Sequence, residues 1–190
     1  MKIEKAVIFN RLAANPENKP EEILKALHLR QGQVVADIGA GGGYFSFRMA
    51  ELVGETGQVF AVETNPDFLR YIEQQARKQG LQNVVPVQVS GDLPELPLQQ
   101  IDLIFMRNVT HHLPRRPEYL KHLRKFLKPG GRVAIIEYQK AKLFSFRRLF
   151  GHYVSKEKII QEMKQAGYQL EQELNFLPRQ HFTIYKLPLT

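Results

Sequence analysis

The feature of this sequence that most constrains its fold is the stretch 34–45, in which an apolar run leads into a glycine-rich turn and then a helix-forming segment. Val34–Ile38 is typical of a buried strand, and Asp37 stands near its carboxyl end. Glycines then occupy alternate positions of the turn, at Gly39, Gly41 and Gly43. Because glycine has no Cβ, it accepts positive φ angles and allows a ligand to approach the backbone closely. The arrangement predicts a nucleotide-like ligand at the carboxyl end of a strand in an α/β sheet.

The spacing of these glycines differs from the dinucleotide fingerprint Gly-x-Gly-x-x-Gly. After Gly39 and Gly41, that fingerprint requires its third glycine at position 44, where this chain has Tyr44. The pattern present is acidic-x-Gly-x-Gly-x-Gly. A nicotinamide-dependent dehydrogenase is therefore disfavoured.

Strand-like apolar runs alternate with helical patterns along most of the chain. The predicted strands are Val34–Ile38, Gln58–Val62, Val84–Val89, Ile101–Met106, Arg132–Tyr138, Leu170–Phe176 and His181–Leu187. The predicted helices begin at Pro20, follow Gly43 as far as Val53, begin at Pro66, cover Pro117–Leu127 and follow Ser155. This alternation predicts parallel βαβ units whose strands are covered on both faces.

Three local features refine this prediction. Pro86 favours a sheet edge for the third strand, because proline has no N–H to donate to a neighbour. Residues 1–20 are mixed, and Asn15-Pro16 and Lys19-Pro20 break any helix there. The helix after the glycine loop carries its predicted apolar face at Phe45, Met49, Leu52 and Val53.

The end of the chain has two strands in succession. Leu170–Phe176 alternates apolar and polar residues, which places Leu170, Leu174 and Phe176 on one predicted face. Pro178-Arg179 is typical of a tight return before His181–Leu187. The pattern predicts an antiparallel hairpin.

Composition excludes several classes of protein. The chain has no cysteine, which excludes disulfides and thiolate chemistry. No apolar run approaches the ~20 residues of a membrane span, and the start lacks the apolar core of a signal peptide, so we expect a cytoplasmic protein. The net charge of +8 fits either a nucleic-acid surface or, as the favoured alternative, a generally basic soluble protein.

Further motifs follow the glycine loop in a fixed order, at Val59–Glu63, Ser90–Leu93, Ile101–Phe105 and Leu127–Val133. Together they resemble the class I S-adenosylmethionine-dependent methyltransferases, and most closely the small-molecule branch that includes the ubiquinone/menaquinone methyltransferase type. The resemblance spans Ile23–Tyr138. It implies an α/β fold: a Rossmann-like, doubly wound, mostly parallel seven-stranded sheet with helices on both faces and a C-terminal antiparallel hairpin.

The resemblance also implies how the chain is organised. A single methyltransferase domain is expected over residues 1–190. Its parts are an N-terminal cap and helix (1–32), a cofactor-binding core (33–138), a lid segment (139–154) and a helix with the terminal hairpin (155–190).

S-adenosylmethionine is the cofactor that the resemblance implies, with S-adenosylhomocysteine as its product. The glycine loop, with Gly39, Gly41 and Gly43, is expected to pass close to the methionine and ribose portions. Asp37 is expected near the ligand's ammonium group, unless it only caps the turn. Glu63 is expected to accept the ribose hydroxyls, and Thr64 to flank the adenine.

Two later segments complete the expected cofactor site. Asp92 is expected to accept from the adenine amino group, with the backbone of Leu93 beside the ring, unless Gly-Asp is only a turn. Backbone carbonyls of Arg107 and Asn108 are expected to meet the ammonium group.

The candidates for a general base are the adjacent histidines His111 and His112, which follow the fourth strand. An oxygen or carbon acceptor must lose a proton, and histidine is suited to take it. The alternative is that one of them is a packing residue. A metal site is not predicted, because neighbouring residues on a helix point in different directions.

The segment Lys140–Tyr153 combines aromatic and basic residues, with Leu143, Phe146 and Phe150 at helical spacing. In similar enzymes this region caps the substrate pocket. A basic, aromatic lid suits an acidic aromatic substrate, an anionic lipid surface or RNA. The alternative is a short amphipathic helix packed on the domain.

The sequence therefore predicts an S-adenosylmethionine-dependent methyltransferase that acts on an unidentified small-molecule acceptor. An RNA methyltransferase and a non-catalytic S-adenosylmethionine-binding protein are the alternatives, and nucleic acid is the less favoured partner. The Asn-Pro-Pro-Tyr type motif of amino-methylating nucleic-acid enzymes is absent after the fourth strand, where the chain reads Arg107-Asn108-Val109-Thr110. The sequence does not predict the oligomeric state.

Overall fold

A computed structural model describes residues 2–139 and 153–188. The α-helices of these residues are α1 (Lys2–Ala14), α2 (Pro20–Ala26), α3 (Tyr44–Val53), α4 (Pro66–Lys78), α5 (Arg116–Leu123) and α6 (Lys156–Gln165). The strands are β1 (Val34–Ile38), β2 (Gln58–Glu63), β3 (Val84–Gln88), β4 (Ile101–Arg107), β5 (Leu127–Tyr138), β6 (Gln169–Leu174) and β7 (Gln180–Lys186). Short 3-10 helices cover Pro16–Asn18, Thr110–His112 and Arg124–Phe126.

The seven strands follow the order β3-β2-β1-β4-β5-β7-β6. Strand β7 is antiparallel to both β5 and β6, whereas β1 and β3 are each parallel to β2, and β4 is parallel to β5. This order confirms the predicted Rossmann-like, mostly parallel sheet with a C-terminal antiparallel hairpin and flanking helices. The chain divides into two compact units, Met1–Glu95 and Leu96–Thr190. The single domain over residues 1–190 stays a prediction.

The first unit is built on the parallel strands β1, β2 and β3. Val35–Ile38 is buried, and α3 packs on β1 and β2 while α4 packs on β2 and β3. Strand β3 lies at the edge of the sheet, as Pro86 predicts. The near-continuous apolar strands β1 and β2 are therefore buried, as parallel strands require, whereas the edge strand β3 is mostly half-buried.

The ends of α4 show why this segment is helical. The Asn65 side chain accepts a hydrogen bond from the Asp67 N–H at 2.9 Å, and Pro66 occupies the first turn. Acidic Asp67 at the start and basic Arg77 near the end both suit the helix dipole. The predicted apolar stripe is buried, at Phe68, Leu69, Ile72 and Ala76.

Two features of the first unit differ from the prediction. Lys2–Ala14 is a helix in a segment predicted to be mixed, and it ends directly before the predicted break at Asn15-Pro16. Its apolar residues lie on both faces, since Ala6 and Ala13 are buried while Ile8, Phe9 and Leu12 are exposed. They therefore do not mark one buried face. Leu52, predicted on the buried face of α3, is 41% exposed.

The second unit contains β4, β5, the hairpin β6–β7 and the helices α5 and α6. Strand β5 lies between β4 and β7, and β7 is buried except at Lys186. Helix α6 packs on α5 and on β6. Ser155 caps α6 as predicted, because its hydroxyl accepts the Lys158 N–H at 3.2 Å.

Several boundaries and one face in the second unit differ from the prediction, and β6 ends at Leu174, so Phe176 lies outside it. Helix α5 ends at Leu123 and β5 begins at Leu127, not at Arg132. Ile101 pairs with Leu127 but Leu103 pairs with Arg132, so the residues between form a bulge within the strand. The predicted apolar face of β6 is not buried, since this edge strand leaves Leu170 39% exposed.

The predicted lid at 139–154 lies outside the described residues except at its two ends. None of the helices in the described ranges combines the length and the apolar character that a membrane-spanning helix needs.

Candidate functional site

The glycine loop of the first unit is fixed by its own backbone. The N–H groups of Gly39 and Ala40 both donate to the carbonyl of Val62 in β2, at 2.9 and 3.1 Å. The Gly43 N–H donates to the Ala40 carbonyl at 2.9 Å, which closes the turn before α3. These hydrogen bonds hold the glycine loop against the carboxyl end of β2.

The three glycines after Ala40 lie in different surroundings. A Cβ added to Gly41 would meet only the Phe9 ring, at an ordinary contact of 3.5 Å, but the φ of +57° disfavours any other residue. A Cβ on Gly42 would lie 2.3 Å from the Ala6 carbonyl, and one on Gly43 would lie 2.8 Å from Phe47. Gly42 and Gly43 therefore pack against protein atoms, and Gly41 is the more open position.

Asn10 of α1 joins the glycine loop to α3. Its side-chain amide donates to the Gly42 carbonyl at 2.8 Å, and its oxygen accepts the Tyr44 N–H at 3.1 Å. Gly43 has no side chain with which to cap α3, so Asn10 provides the cap from another helix. No local pattern indicates this role for Asn10, since Gly42 and Tyr44 are more than 30 residues away in the chain.

Both carboxylate oxygens of Glu63 accept hydrogen bonds from this unit. One carboxylate oxygen accepts the Gly41 N–H at 3.0 Å. The other accepts the N–H groups of Thr64 and Asn65 at 2.7 and 3.2 Å, and the Thr64 hydroxyl at 3.1 Å. Each oxygen of an ionised carboxylate offers about two lone-pair positions. The oxygen that accepts the Gly41 N–H therefore has room for a ligand hydroxyl, whereas the other oxygen already accepts three donors.

Asp37 is 3% exposed, and its carboxylate accepts the hydroxyl of Ser46 in α3 at 2.6 Å. The carboxylate thus links the end of β1 to the helix that follows the glycine loop. Its predicted approach to the ligand's ammonium group stays a prediction. The same holds for Asp92 and Leu93, which lie exposed in the loop after β3.

In the second unit, the turn after β4 is fixed to the neighbouring strands. The Asn108 N–H donates to the Ile136 carbonyl of β5 at 2.8 Å. Its side-chain oxygen accepts the Gln180 amide of β7 at 2.5 Å, and its φ of +55° lies in the left-handed region. Arg107 ends β4 directly before it. The turn therefore has a defined conformation, and the predicted role of its carbonyls stays a prediction.

The two candidate histidines differ in environment. His112 is exposed, whereas the His111 side chain is 6% exposed and its Nδ1 lies 3.0 Å from a carboxylate oxygen of Glu137. The same oxygen accepts the Thr110 hydroxyl at 2.5 Å and the His111 N–H at 3.3 Å. The structure thus brings His111 to a buried carboxylate.

Glu137 was not predicted as a site residue. Burial by itself raises the pKa of its carboxyl, but the hydrogen bonds from His111 and Thr110 outweigh burial and hold that pKa below the usual 4.5. The carboxylate is therefore ionised at neutral pH. The signal that could have revealed it is an acidic residue at the end of the apolar run Val133–Ile136.

A second buried histidine lies in β7. The ring of His181 has its Nε2 3.0 Å from the Val154 carbonyl, and burial lowers the pKa of the ring below 6.5 even though Glu137 on the neighbouring strand raises it. Within the described residues, its Nδ1 is buried without a hydrogen-bond partner. A proton on this ring is therefore disfavoured in the folded state.

We expect this histidine to make stability depend on pH. Since the folded pKa of His181 lies below the unfolded value of 6.5, the unfolded chain binds the proton more readily. The free energy of unfolding should fall as the pH drops below 6.5, and Glu137 should add a further loss below 4.5. Urea unfolding at several pH values measures this effect. Between pH 7 and 5, the free energy of unfolding of His181→Gln should change less with pH than that of the wild type. If it changes as much as in the wild type and in the partly exposed control His122→Gln, the prediction is wrong.

The residues of the first unit fit S-adenosylmethionine. Gly41 has the left-handed backbone and the space that close approach of a ligand needs, and Glu63 supplies an acceptor suited to a ribose diol.

Comparison with known proteins agrees with this fit. A family model described as a methyltransferase domain matches residues 29–175. The demethylmenaquinone methyltransferase of Geobacillus kaustophilus is 25% identical over 70% of this chain and 57% of its own length. The ubiquinone/menaquinone biosynthesis C-methyltransferase UbiE of Yersinia pestis is 29% identical over 66% of this chain and 50% of its own length.

A crystal structure of a SAM-dependent methyltransferase from Aquifex aeolicus superposes with a TM-score of 0.83 at 23% identity, covering 96% of this chain and 98% of that chain. This likeness shows the fold. The chain spans about half the length of the curated relatives it matches. Because the family model covers well over half of the sequence, the chain belongs to the methyltransferase domain family, whose cofactor is S-adenosylmethionine.

Proposed function

We propose that this chain transfers a methyl group from S-adenosylmethionine to a small-molecule acceptor of the quinol type. The observation that carries the proposal is the carboxylate of Glu63 at the end of β2, bound to the Gly41 N–H of the glycine loop at 3.0 Å. The acceptor class is supported by the names of the two curated relatives, which specify demethylmenaquinone in one and ubiquinone/menaquinone biosynthesis in the other.

The first unit binds the cofactor in this proposal. Glu63 accepts the ribose hydroxyls, Asp37 faces the ammonium group, and Thr64, Asp92 and Leu93 surround the adenine. When bound, S-adenosylmethionine supplies an activated methyl group. The glycine loop positions the cofactor, because hydrogen bonds to β2 already fix the backbone of this loop.

In the second unit, His111 takes the acceptor's proton. Methylation at carbon, which the name of the Yersinia relative specifies, requires a base because the carbon loses a proton as it gains the methyl group. Of the two candidate histidines, His111 is the one whose side chain is buried, and its ring contacts an ionised carboxylate. Arg107 and Asn108 supply carbonyls to the ammonium group.

Calorimetric titration with S-adenosylmethionine and S-adenosylhomocysteine tests the cofactor part of the proposal. We expect the wild type to bind both, and Glu63→Ala to bind at least tenfold more weakly, since a hydrogen bond to a charged group contributes about 1.5–3 kcal/mol. The matched control is Glu73→Ala, which removes an exposed carboxylate paired with Arg77 on α4. It should leave affinity unchanged.

The outcomes separate the remaining alternatives. A folded wild type that binds neither ligand would contradict the proposal. Binding without methyl transfer to a short-chain demethylated naphthoquinol would favour the non-catalytic alternative. Methyl incorporation into RNA, with binding that weakens steeply as salt rises, would favour the RNA methyltransferase.

A further inference from the structure

We infer that Glu137 is a positioning residue, which fixes the His111 ring in the tautomer that carries its proton on Nδ1 and leaves the Nε2 lone pair to take the acceptor's proton. This inference rests on the proposed function, in which His111 is the base. Glu137 itself lies behind His111 and is given no contact with the acceptor.

The first argument is the direction of the hydrogen bond. An ionised carboxylate has no proton to donate, so it can only accept. The distance of 3.0 Å between His111 Nδ1 and Glu137 Oε2 therefore requires the proton to lie on Nδ1. In a neutral imidazole that leaves Nε2 as the basic nitrogen.

The second argument is the number of donors that converge on one oxygen. Glu137 Oε2 accepts from the Thr110 hydroxyl at 2.5 Å, the His111 backbone N–H at 3.3 Å and the His111 ring. The other oxygen accepts the Tyr138 N–H at 2.8 Å. Both the main chain and the ring of His111 are thus bound to the same atom, so ring rotation would break a charge-assisted hydrogen bond.

The third argument is the rigidity of the support. Glu137 is fully buried near the end of β5, where it pairs with His181 of the antiparallel neighbour β7. Thr110 is also fully buried. Because β5 lies between β4 and β7, the Glu137 carboxylate is held rigidly and can orient the His111 ring.

The titratable and charged groups around this cluster include residues from three elements. His181 of β7 faces Glu137 across the strand pair. Arg116 of α5 has its guanidinium 3.4 Å from the Thr110 carbonyl and is paired with Glu162 of α6. Burying a carboxylate costs free energy that apolar packing would avoid. A role in orienting His111 accounts for a buried charge at this position.

The test begins with the wild type, for which no substitution is needed. Nitrogen-15 NMR of the histidine rings, with S-adenosylhomocysteine present and at a pH where the rings are neutral, should show the His111 proton on Nδ1. In Glu137→Gln the side-chain amide can either accept or donate, so His111 should become a mixture of tautomers. The control is Asp102→Asn, which removes a carboxylate paired with Lys128 at the opposite end of β4 and should leave the His111 signals unchanged.

Turnover of the short-chain demethylated naphthoquinol provides the second readout. Glu137→Gln should lower kcat by about 10²–10⁴-fold, the range that a positioned base contributes, with little change in KM or in S-adenosylmethionine affinity. Asp102→Asn should keep the wild-type kcat.

The two readouts distinguish failure of the inference from failure of the proposed function. A wild-type His111 with its proton on Nε2, or a tautomer that Glu137→Gln does not change, would overturn the inference. An active wild type whose kcat survives Glu137→Gln would overturn it as well. A wild type with the expected tautomer but no methyl transfer would overturn the proposed function and leave the positioning of His111 standing.

Discussion

Replacing Arg116 with alanine is expected to lower the free energy of unfolding by about 3–5 kcal/mol, the cost of leaving a buried charge without its partner. The guanidinium donates from Nε to one oxygen of Glu162 at 2.7 Å and from Nη2 to the other at 3.1 Å. The Glu162 side chain is only 4% exposed, so water cannot replace these bonds. Lys158 also lies 3.5 Å from this carboxylate and is kept in the variant. We therefore expect a loss near the lower end of that range.

Urea unfolding of a small set of variants measures this effect. The double variant Arg116→Met/Glu162→Met should be more stable than Arg116→Ala, because it leaves neither charge buried. The control Arg77→Ala breaks the exposed pair with Glu73 and should cost less than about 1 kcal/mol. Equal losses for Arg116→Ala and Arg77→Ala would show that burial does not govern the strength of this pair.

The elements predicted correctly are those whose signals are local. Val34–Ile38 is apolar at nearly every position because both faces of a parallel strand are buried. The caps at Asn65 and Ser155 act on backbone groups two or three residues away, so the sequence alone reveals them. Pro86 likewise marks an edge through its own missing N–H.

The elements predicted wrongly depend on distant partners. Helix α1 is anchored through Asn10 to the Gly42 carbonyl and the Tyr44 N–H, and neither bond can be read from the helix itself. Its apolar residues lie on both its buried and its exposed face, as Ala6 and Leu12 show, so they do not mark one buried stripe. The bulge that begins β5 at Leu127 arises from pairing with Ile101, which is also a long-range property.

The candidate site divides in the same way. Glu63 could be chosen as a candidate because a carboxylate ends a buried strand at a family-like position, and the structure adds its bond to Gly41. Its contact with the ribose stays a prediction. Glu137 could not be assigned to His111, since the sequence does not show which strand end lies beside the turn after β4. The difference between His111 and His112 likewise depends on which ring is buried against β5.

Replacing Gly43 with alanine is the second prediction with a large effect. The φ of Gly43 is +85°, which costs any other L-residue about 1–2 kcal/mol. The new Cβ would also lie 2.8 Å from Phe47 and 2.9 Å from Ile72, both of which are buried, and such overpacking typically costs about 1–3 kcal/mol. We therefore expect the free energy of unfolding to fall by about 2–5 kcal/mol in total.

Gly80→Ala is the matched control, because it separates backbone strain from packing. Gly80 has a similar φ of +72°, but nothing lies within 4 Å of an added Cβ. The free energy of unfolding of Gly80→Ala should therefore fall only by the cost of backbone strain, about 1–2 kcal/mol. Equal losses at the two positions would contradict the packing argument. Calorimetric titration of folded Gly43→Ala with S-adenosylmethionine then tests the predicted cofactor contact. Reduced stability with unchanged affinity would mean that Gly43 shapes the core beneath the loop. Reduced stability together with reduced affinity would mean that its backbone also faces the ligand.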